Sequence, residues 1–179
     1  MNLVLFLFPY LRIMSSVLIV AATKNDIPQI LDIVNHYIEN DTCIYDLEPR
    51  SLEKQMEWFE NQTLNNFPVL VAKIDNQLIG FASYSQFRPK VGYKFSMEHS
   101  VYVAHNQKGN GAGKMLLQSL IEIAQNQNIH TLIGGIDANN QGSIDFHSKF
   151  GFETVGRMNQ VGYKFNRWLD LVWMQKTLN

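Results

Sequence analysis

The chain has 179 residues, of which 46% are hydrophobic, which is enough for one sizeable core rather than two independent domains. Its 15 basic and 16 acidic residues give a formal net charge of -1, so it lacks the excess positive charge typical of nucleic-acid or anionic-membrane binding. These values favour a small-molecule partner, with no nucleic acid and no membrane. The single cysteine excludes an intrachain disulfide framework and indicates a reducing, cytoplasmic environment.

The first thirteen residues differ in pattern from the rest of the chain. Residues 3–8 form an apolar run that is too short to cross a bilayer, and no basic side chain precedes it. A secretory signal is one interpretation. We favour the other, in which Met14 is the biological start, because regular strand and helix patterns begin directly after it. We therefore predict an N-terminal extension over residues 1–13 and one domain over residues 14–179.

Strand and helix patterns then alternate along the chain. Residues 17–21 predict a short strand. Thr23 and Asp26 have capping-box spacing, and apolar residues continue at helical spacing as far as Ile38, so a helix is expected there. A second helix is predicted to begin after its N-cap, Ser51.

Three further strands are expected to form an antiparallel sheet. Residues 69–74 and 78–84 are apolar runs separated by a turn sequence, and residues 95–103 alternate with a period of two. One face of this third strand carries Phe95, Met97, His99, Val101 and Val103, and the other carries Ser96, Glu98, Ser100 and Tyr102. The second of these faces is predicted to hold the polar chemistry.

A glycine-rich loop follows this strand and leads directly into a helical pattern. Gly109, Gly111 and Gly113 alternate in the loop, and apolar residues at helical spacing continue to Ala124. Alternating glycines allow a ligand to approach the backbone closely, and a helix N-terminus presents unpaired N–H groups with partial positive charge. The segment therefore predicts a phosphate-binding loop, although an ordinary tight turn has the same local sequence.

Two common nucleotide-binding loops do not fit this segment. A P-loop needs glycine where Lys108 stands and serine or threonine where Met115 stands. A dinucleotide fingerprint needs glycine at the position of Lys114, and no βαβ unit opens the chain. Both interpretations are therefore weakened.

The loop resembles motif A of the Gcn5-related N-acetyltransferases (GNAT), written Gln/Arg-x-x-Gly-x-Gly/Ala. Lys108, Gly111 and Gly113 occupy its first, fourth and sixth positions. Lys108 departs from the motif, because it keeps a cation but loses the planar geometry of arginine. The resemblance implies a mixed α/β fold with a mostly antiparallel, twisted sheet flanked by helices.

Longer stretches resemble the phosphinothricin and methionine sulfone (methionine sulfoximine) acetyltransferase subgroup, covering nearly all of residues 17–178. They are Glu98-His99-Ser100-Val101-Tyr102-Val103, Asn139-Asn140-Gln141-Gly142-Ser143, Phe146-His147 and residues 161–170, Val-Gly-Tyr-Lys-Phe-Asn-Arg-Trp-Leu-Asp. The Gly-Tyr-Lys and Trp-x-Asp pair is more specific than motif A. The resemblance implies acetyl-CoA as co-substrate and transfer of its acetyl group to the α-amine of a small amino-acid-like acceptor.

The resemblance also implies which residues bind acetyl-CoA. The expected contacts are Val101, Tyr102, Val103, Lys108, Gly109, Asn110, Gly111, Ala112, Gly113, Lys114, Asn140 and Ser143. Backbone donors at Val101 to Val103 would stabilise an oxyanion if their strand is bulged or splayed from its neighbour. The apolar side chains of the same residues also suit an ordinary core.

Two side chains are expected to act as catalytic groups. An ammonium group is largely protonated at neutral pH, so the amine needs a proton acceptor, and the resemblance places that role on Glu98. Without the resemblance, a strand glutamate paired with a neighbouring cation is the simpler interpretation. His147 lies four residues after Ser143 on one helical face. It could protonate the departing thiolate, hydrogen-bond the cofactor, or serve the structure alone.

The acceptor is expected to contact the loop between the predicted strands at residues 78–84 and 95–103. The resemblance implies substrate contacts at Val91, Gly92 and Tyr93, and Arg88 and Glu98 are predicted to contact the substrate as well. Arg88 could clamp a carboxylate bidentately, and a solvated surface arginine is the alternative.

Covalent and metal-based chemistry is not expected. Cys43 could in principle carry an acetyl group, but no base is evident beside it, and His36 lies one helix segment away. Direct attack of the amine on the thioester is therefore favoured. The histidines have no paired metal-ligand spacing, so no metal is predicted.

Two alternative functions remain open, and a homodimer is predicted. One alternative is an acetyl-CoA-binding sensor without catalysis, and the other is acetylation of protein or peptide amines. A homodimer is predicted because the family often forms one. The aromatic and apolar residues Trp168, Leu171, Trp173 and Met174 permit such an interface but equally suit a buried last strand.

Overall fold

A computed structural model describes residues 17–178. The predicted extension over residues 1–13 and the proposed start at Met14 lie outside the described residues, so that division stays a prediction. The helices and strands, in chain order, are β1 (Leu18–Ala21), α1 (Ile27–Asn40), α2 (Leu52–Leu64), β2 (Val69–Ile74), β3 (Gln77–Gln86), β4 (Ser96–Val103), α3 (Ala112–Asn126), β5 (Thr131–Asp137), α4 (Gln141–Ser148), β6 (Glu153–Lys164) and β7 (Arg167–Thr177).

The seven strands form a single sheet in the order β1-β2-β3-β4-β5-β7-β6. Every neighbouring pair is antiparallel except β4 and β5, which run parallel. Four α-helices flank this sheet within residues 17–178. The predicted mixed, mostly antiparallel α/β fold is therefore confirmed.

The core lies in two layers, one on each face of the sheet. The buried stripe of α1 and Phe59 of α2 pack on Val71 and Phe81. On the other face, the buried side of α3 packs on Leu70, Met97 and strands β5 and β7. Period-two alternation in β2 to β4 lets each strand serve both layers.

The N-termini of α1 and α2 follow from the predicted caps. Asp26 accepts hydrogen bonds from the backbone N and Oγ1 of Thr23, at 2.8 and 2.9 Å, in a short 3-10 turn that leads into α1. Ser51 caps α2 by accepting a hydrogen bond from the backbone N of Lys54. Both patterns read from the sequence thus correspond to real helix starts.

The predicted bounds of β4 need a correction. Phe95 was expected to open the strand on the apolar face, but β4 begins at Ser96, and the Phe95 side chain is 49% exposed. The backbone oxygen of Phe95 instead accepts hydrogen bonds from the N–H groups of His130 and Thr131. Phe95 therefore belongs to the turn before β4, and its ring is not part of the core.

Candidate active site

A cleft opens where β4 and β5 separate. Their parallel pairing stops at Glu98 opposite Ile133, while β4 continues to Val103 and β5 to Asp137. The separation leaves backbone groups of β4 without partners from β5, which is the condition that the sequence argument set for backbone donors at Val101 to Val103.

The cleft brings together several residues predicted from separate parts of the sequence. The predicted residues on its walls are Val101, Tyr102, Lys108, Asn140, Ser143 and His147. The backbone oxygen of Val103 accepts a hydrogen bond of 2.6 Å from the hydroxyl of Tyr37, so this carbonyl is already occupied. Unpaired backbone groups along a strand can bind an extended chain such as the pantetheine arm, because such a chain can lie beside the strand as another strand would.

The glycine loop has the backbone conformation that the sequence predicts. Gly109 and Gly111 have φ angles of 89° and 87°, in the left-handed region where a β-carbon is strained. Gly111 is the N-cap of α3, and the Oδ1 of Asn110 accepts a hydrogen bond from the backbone N of Ala112 at 3.0 Å. The exposed loop therefore delivers the N-terminus of a 15-residue helix, with its positive dipole end, to the mouth of the cleft.

Helix α4 presents its cleft-facing residues through a capped first turn. Asn140 is the N-cap, and its side chain accepts a hydrogen bond from the backbone N of Ser143 at 3.0 Å. Ser143 and His147 lie one turn apart, with 3.4 Å between the serine Oγ and the histidine Nδ1. Asn140 thus has a structural role in addition to any contact with a ligand.

His147 is buried, and both of its ring nitrogens are engaged. Its Nδ1 lies 2.7 Å from the backbone oxygen of Ser143, and its Nε2 lies 3.0 Å from the Nε2 of His99. Burial lowers the pKa of His147, while the contact with Ser143 acts in the opposite direction. Neither nitrogen is free to meet a departing thiolate in this arrangement, so a direct acid role would need the ring to move.

Glu98 lies on the opposite face of β4 from His147. Its side chain is half-buried, and it has no hydrogen bond or ion pair within residues 17–178. Burial raises the pKa of the Glu98 carboxyl, and the positive charge of Arg88 partly offsets that increase. A carboxylate with a raised pKa and a free oxygen is suited to accept a proton near neutral pH.

The predicted acceptor residues lie on the Glu98 side of the sheet. Val91 to Tyr93 form an exposed 3-10 turn. The Arg88 guanidinium lies 4.2 Å from the centre of the Phe87 ring, which in turn contacts Tyr93 and Trp173. These aromatic contacts hold the loop near Glu98, while Val91 and Gly92 themselves face solvent.

Two buried polar residues of the cleft, His99 and Asp137, are not among the site residues predicted from the sequence. His99 was placed on the apolar face of its strand, and it does lie there, but against His147 and Phe152. Asp137 is the last residue of β5. One of its carboxylate oxygens accepts a hydrogen bond from the backbone N of Asn139, and the other has no partner among the described residues. The period-two alternation of the strands indicates that both side chains point inward, but it does not show which residues they contact.

The Gly-Tyr-Lys and Trp-x-Asp pattern holds the loop that follows α1. Lys164 is buried, and its Nζ donates to the backbone oxygens of Asp41 and Ile44 at 2.8 and 2.7 Å. Gly162 lies against the ring of Tyr45, whose hydroxyl donates to the backbone oxygen of Asp170. These contacts place residues 41–45 against the cleft, so this specific motif has a structural explanation.

Cys43 lines the same cleft but is not an activated nucleophile. Burial, together with the charge of Asp41, raises the pKa of the Cys43 thiol to about 12. His36, the nearest histidine in sequence, stacks on His105 with 4.2 Å between ring centres. The thiol therefore stays protonated at neutral pH, which weakens an acyl-cysteine route.

Two further features can be judged over residues 17–178. No group of three or more metal-ligating side chains is found in this part of the chain. None of its helices has the length and apolar character needed to span a bilayer.

Comparison with known proteins decides the family. The family model described as "Acetyltransferase (GNAT) domain" matches residues 19–173, which is most of the chain. The chain belongs to the GNAT acetyltransferase family. This GNAT protein is an acetyl-CoA-dependent N-acetyltransferase, and acetyl-CoA is its co-substrate.

Curated relatives refine the position within the family. The L-methionine sulfoximine/L-methionine sulfone acetyltransferase of Pseudomonas aeruginosa is 43% identical over 155 residues, covering 86% of this chain and 90% of the relative. The phosphinothricin N-acetyltransferase of Alcaligenes faecalis is 33% identical, covering 87% and 79%. The subgroup resemblance read from the sequence is therefore confirmed.

Solved structures agree with the fold and the co-substrate. The ribosomal-protein-alanine N-acetyltransferase from Brucella melitensis is 48% identical with a TM-score of 0.89, covering 90% of this chain and 99% of its own. YncA, an acetyltransferase from Salmonella typhimurium solved with its cofactor acetyl-CoA, is 36% identical with a TM-score of 0.90, covering 92% and 95%. The cleft between β4 and β5, with the glycine loop at its mouth, fits such a ligand.

Proposed function

We propose that this N-acetyltransferase moves the acetyl group of acetyl-CoA to the α-amine of a small amino-acid-like acceptor by direct attack. Glu98 is the observation that carries the proposal. It combines partial burial, a raised pKa and a carboxylate without a bonded partner in the described part of the chain, and it lies near Arg88. The acceptors to test are methionine sulfoximine, methionine sulfone and phosphinothricin, the classes named for the curated relatives.

The proposed roles divide between the two faces of the sheet. Glu98 takes the proton from the acceptor ammonium, directly or through water, and the free amine then attacks the thioester carbon. Backbone N–H groups of Val101 to Val103 stabilise the oxyanion in the cleft, because an oxyanion accepts hydrogen bonds and needs donors. The glycine loop at 108–113 with Lys114 holds the pyrophosphate, and Asn140 and Ser143 line the path of the pantetheine arm.

Acceptor selection is assigned to the exposed loop around Arg88. In the proposed complex, Arg88 pairs with the acceptor's α-carboxylate, which places the α-amine toward Glu98. The offset that Arg88 imposes on the pKa of Glu98 supports this proximity. Val91, Gly92 and Tyr93 form the adjoining wall. An acyl-cysteine route through Cys43 is disfavoured by the raised pKa of its thiol.

A second enzymatic function has a specific observation in its favour. The Brucella melitensis structure, 48% identical, is named a ribosomal-protein-alanine N-acetyltransferase. That name describes an alanine of a ribosomal protein as acceptor, whereas the curated relatives are named for free amino-acid analogues. Acetylation of peptide amines is therefore the first alternative, and a non-catalytic acetyl-CoA sensor is the second.

One thiol-release experiment separates these functions. Purified protein is given acetyl-CoA with each of the three free acceptors and with peptides that begin with alanine, and released coenzyme A is measured with a thiol reagent. We expect release with the free acceptors, and Glu98→Gln should reduce it. Release with peptides alone would favour the protein-amine alternative, and tight acetyl-CoA binding without release across the panel would favour the sensor.

The predicted homodimer and cytoplasmic location also stay proposals. The β6–β7 hairpin exposes large apolar side chains, among them Val155, Tyr163 and Trp168, and such a surface is suited to a second copy of the chain. Trp168 is 60% exposed, whereas Met174 is 1% exposed and belongs to the core. Of the four residues considered for the interface, Met174 is therefore not available, and Trp168 is the best placed.

A further inference from the structure

The His99–His147 contact contains more hydrogen-bonding positions than two neutral rings can fill. The Nδ1 of His99 lies 2.8 Å from the backbone oxygen of Ile133, and the Nδ1 of His147 lies 2.7 Å from that of Ser143. A carbonyl oxygen only accepts hydrogen bonds, so each Nδ1 must carry a proton. The two Nε2 atoms lie 3.0 Å apart, and that contact is a hydrogen bond only when one of them also carries a proton.

We infer that His99 and His147 act as one unit that binds a single additional proton between their Nε2 atoms. Two neutral imidazoles carry two N–H groups, whereas the three contacts need three. The singly charged pair has three N–H groups and therefore makes all three hydrogen bonds. In the neutral pair, the lone pairs of the two Nε2 atoms face each other. In the doubly charged pair, both Nε2 atoms carry protons, and these face each other across the same short distance. His99 is thereby a positioning residue, because it fixes the ring and the protonation state of His147.

The surroundings of the pair hold both rings in place. Phe152 packs against both rings, with centre-to-centre distances of 5.0 and 5.4 Å. A Cβ at Gly134 would lie 3.1 Å from the Cε1 of His99, so this glycine leaves the space that the ring fills. Neither ring can turn without losing a contact to a backbone oxygen.

The pair is expected to gain its proton under mildly acidic conditions. Burial lowers the pKa of both rings, and the neighbouring His147 adds to this effect at His99, whose pKa falls to about 3. Because burial also lowers the pKa of His147, the additional, third proton enters below the usual histidine range. The contact between the two Nε2 atoms and the contacts to backbone oxygens favour its uptake.

Other titratable groups face the same cleft from each neighbouring element. They are Tyr37 of α1, Asp41 and Cys43 of the following loop, Tyr102 of β4, Lys108 before α3 and Asp137 of β5. The burial-raised pKa values of Tyr37 and Cys43, about 12 each, keep these two groups neutral near pH 7. Asp137 and Asp41 can supply negative charge and Lys108 positive charge, so the net field at the pair depends on what the cleft holds.

The pair has a consequence for catalysis that rests on the proposed function. Acetyl transfer develops negative charge in the cleft, first on the thioester oxygen and then on sulfur. A proton held between His99 and His147 places one positive charge on the wall of that cleft. Binding of coenzyme A as the thiolate would therefore raise the proton affinity of the pair, and the pair would favour the charged state of its ligand in return.

Nitrogen-15 NMR of the full chain with labelled histidine tests the inference directly. Ligand-free protein is titrated from pH 8 to pH 5, and His99→Gln and His147→Gln serve to assign the signals. We expect both Nδ1 atoms to remain protonated throughout, and the two Nε2 signals to shift together with a single midpoint and uptake of one proton. Separate midpoints, an unprotonated Nδ1 in either ring, or no proton uptake down to pH 5 would overturn the inference.

Kinetics provide a second measurement that a purely structural histidine would not affect. His99→Gln should remove from the pH profile of coenzyme A release the step that corresponds to protonation of the pair. His130→Gln, at an exposed histidine, is the matched control and should keep the step. A His99→Gln enzyme with the normal pH profile would contradict the inference. If no acceptor supports turnover, the proposed function fails, but the NMR titration still decides the state of the pair.

Discussion

At the scale of single residues, the site depends on how burial and charge change the proton affinity of a few groups. Glu98 and His147 lie on opposite faces of β4, and burial has opposite effects on their pKa values because one is acidic and the other basic. The carboxyl becomes a better proton acceptor, and the imidazole becomes a poorer one. The free amine is therefore expected to be generated on the Glu98 face.

Replacing Glu98 with glutamine tests its role as base. The amide keeps the size of the side chain but cannot accept the proton, so turnover should fall by about 100-fold or more, the usual contribution of general base catalysis. The KM for acetyl-CoA should change little, because Glu98 lies away from the glycine loop. Steady-state thiol release measures both values, with the exposed Glu153→Gln as control. Undiminished turnover would exclude the role.

The pH dependence of turnover follows from the raised pKa of Glu98. A base works when deprotonated, so turnover should fall as the pH drops through the raised pKa, above the usual glutamate range. Because the charge of Arg88 lowers this pKa, Arg88→Gln should move the acid limb of the pH profile, where turnover falls, to still higher pH. Arg88→Lys keeps the positive charge, so the acid limb should stay in place. Profiles of kcat/KM against pH give the comparison. An acid limb that Arg88→Gln leaves unmoved would argue against this coupling.

At the scale of secondary-structure elements, the site is made by strand ends and loops rather than by whole strands. The cleft exists because β4 and β5 stop pairing after Glu98 and Ile133. The glycine loop covers one end of the cleft, and the loop after α1, tied down by β6, covers a side. Changes in these connections should therefore affect ligand binding more than they affect the core.

Replacing Gly111 with alanine tests the glycine loop. The φ angle of 87° is unfavourable for any residue with a β-carbon, by about 1–2 kcal/mol. The loop should relax away from its conformation, and the KM for acetyl-CoA should rise about tenfold, consistent with that energy. Gly156→Ala is the control, because Gly156 has open space around it and no left-handed φ. Equal KM values for the two variants would contradict the assignment.

Replacing Lys164 with methionine tests how the loop after α1 is held. Methionine fills a similar volume but donates no hydrogen bond, so the carbonyls of Asp41 and Ile44 lose their shared partner. The free energy of unfolding should fall by about 1–3 kcal/mol. Urea unfolding measures this, with Lys54→Met at an exposed position as control. A variant as stable as the parent would show that the two contacts contribute little.

At the scale of the whole molecule, seven strands form one sheet with helices on both faces, and one edge of the sheet carries a group of exposed apolar side chains. That edge is the β6–β7 hairpin, in which most of β6 is exposed. An edge strand with exposed apolar side chains tends to pair or to be covered. The hairpin is therefore the surface on which assembly is expected to depend.

Sedimentation of the intact protein tests the predicted dimer. Protein at micromolar concentration should sediment as a dimer, and Trp168→Ser should shift it toward monomer, because the 60% exposed ring is proposed to be covered by the second copy. Leu64→Ser, at an 80% exposed leucine on α2, is the control and should sediment like the parent. Parent protein that remains monomeric would refute the dimer.

Much of this architecture follows from the sequence because local rules specify it. Apolar runs placed β1 to β3, period-two alternation placed β4, and capping residues placed the starts of α1 and α2. Only glycine readily adopts the backbone angles found at Gly109 and Gly111. The loop chemistry, read together with the family resemblance, identified acetyl-CoA before any tertiary contact was known.

The contact between His99 and His147 depended on the tertiary structure alone. The two residues are 48 positions apart in the chain and come together through the packing of α4 against β4. Sequence alternation showed that His99 faces inward, but it could not show that a second imidazole lies 3.0 Å away. The same limit applies to Lys164, whose partners lie more than a hundred residues earlier, because local patterns carry no information on such distant pairs.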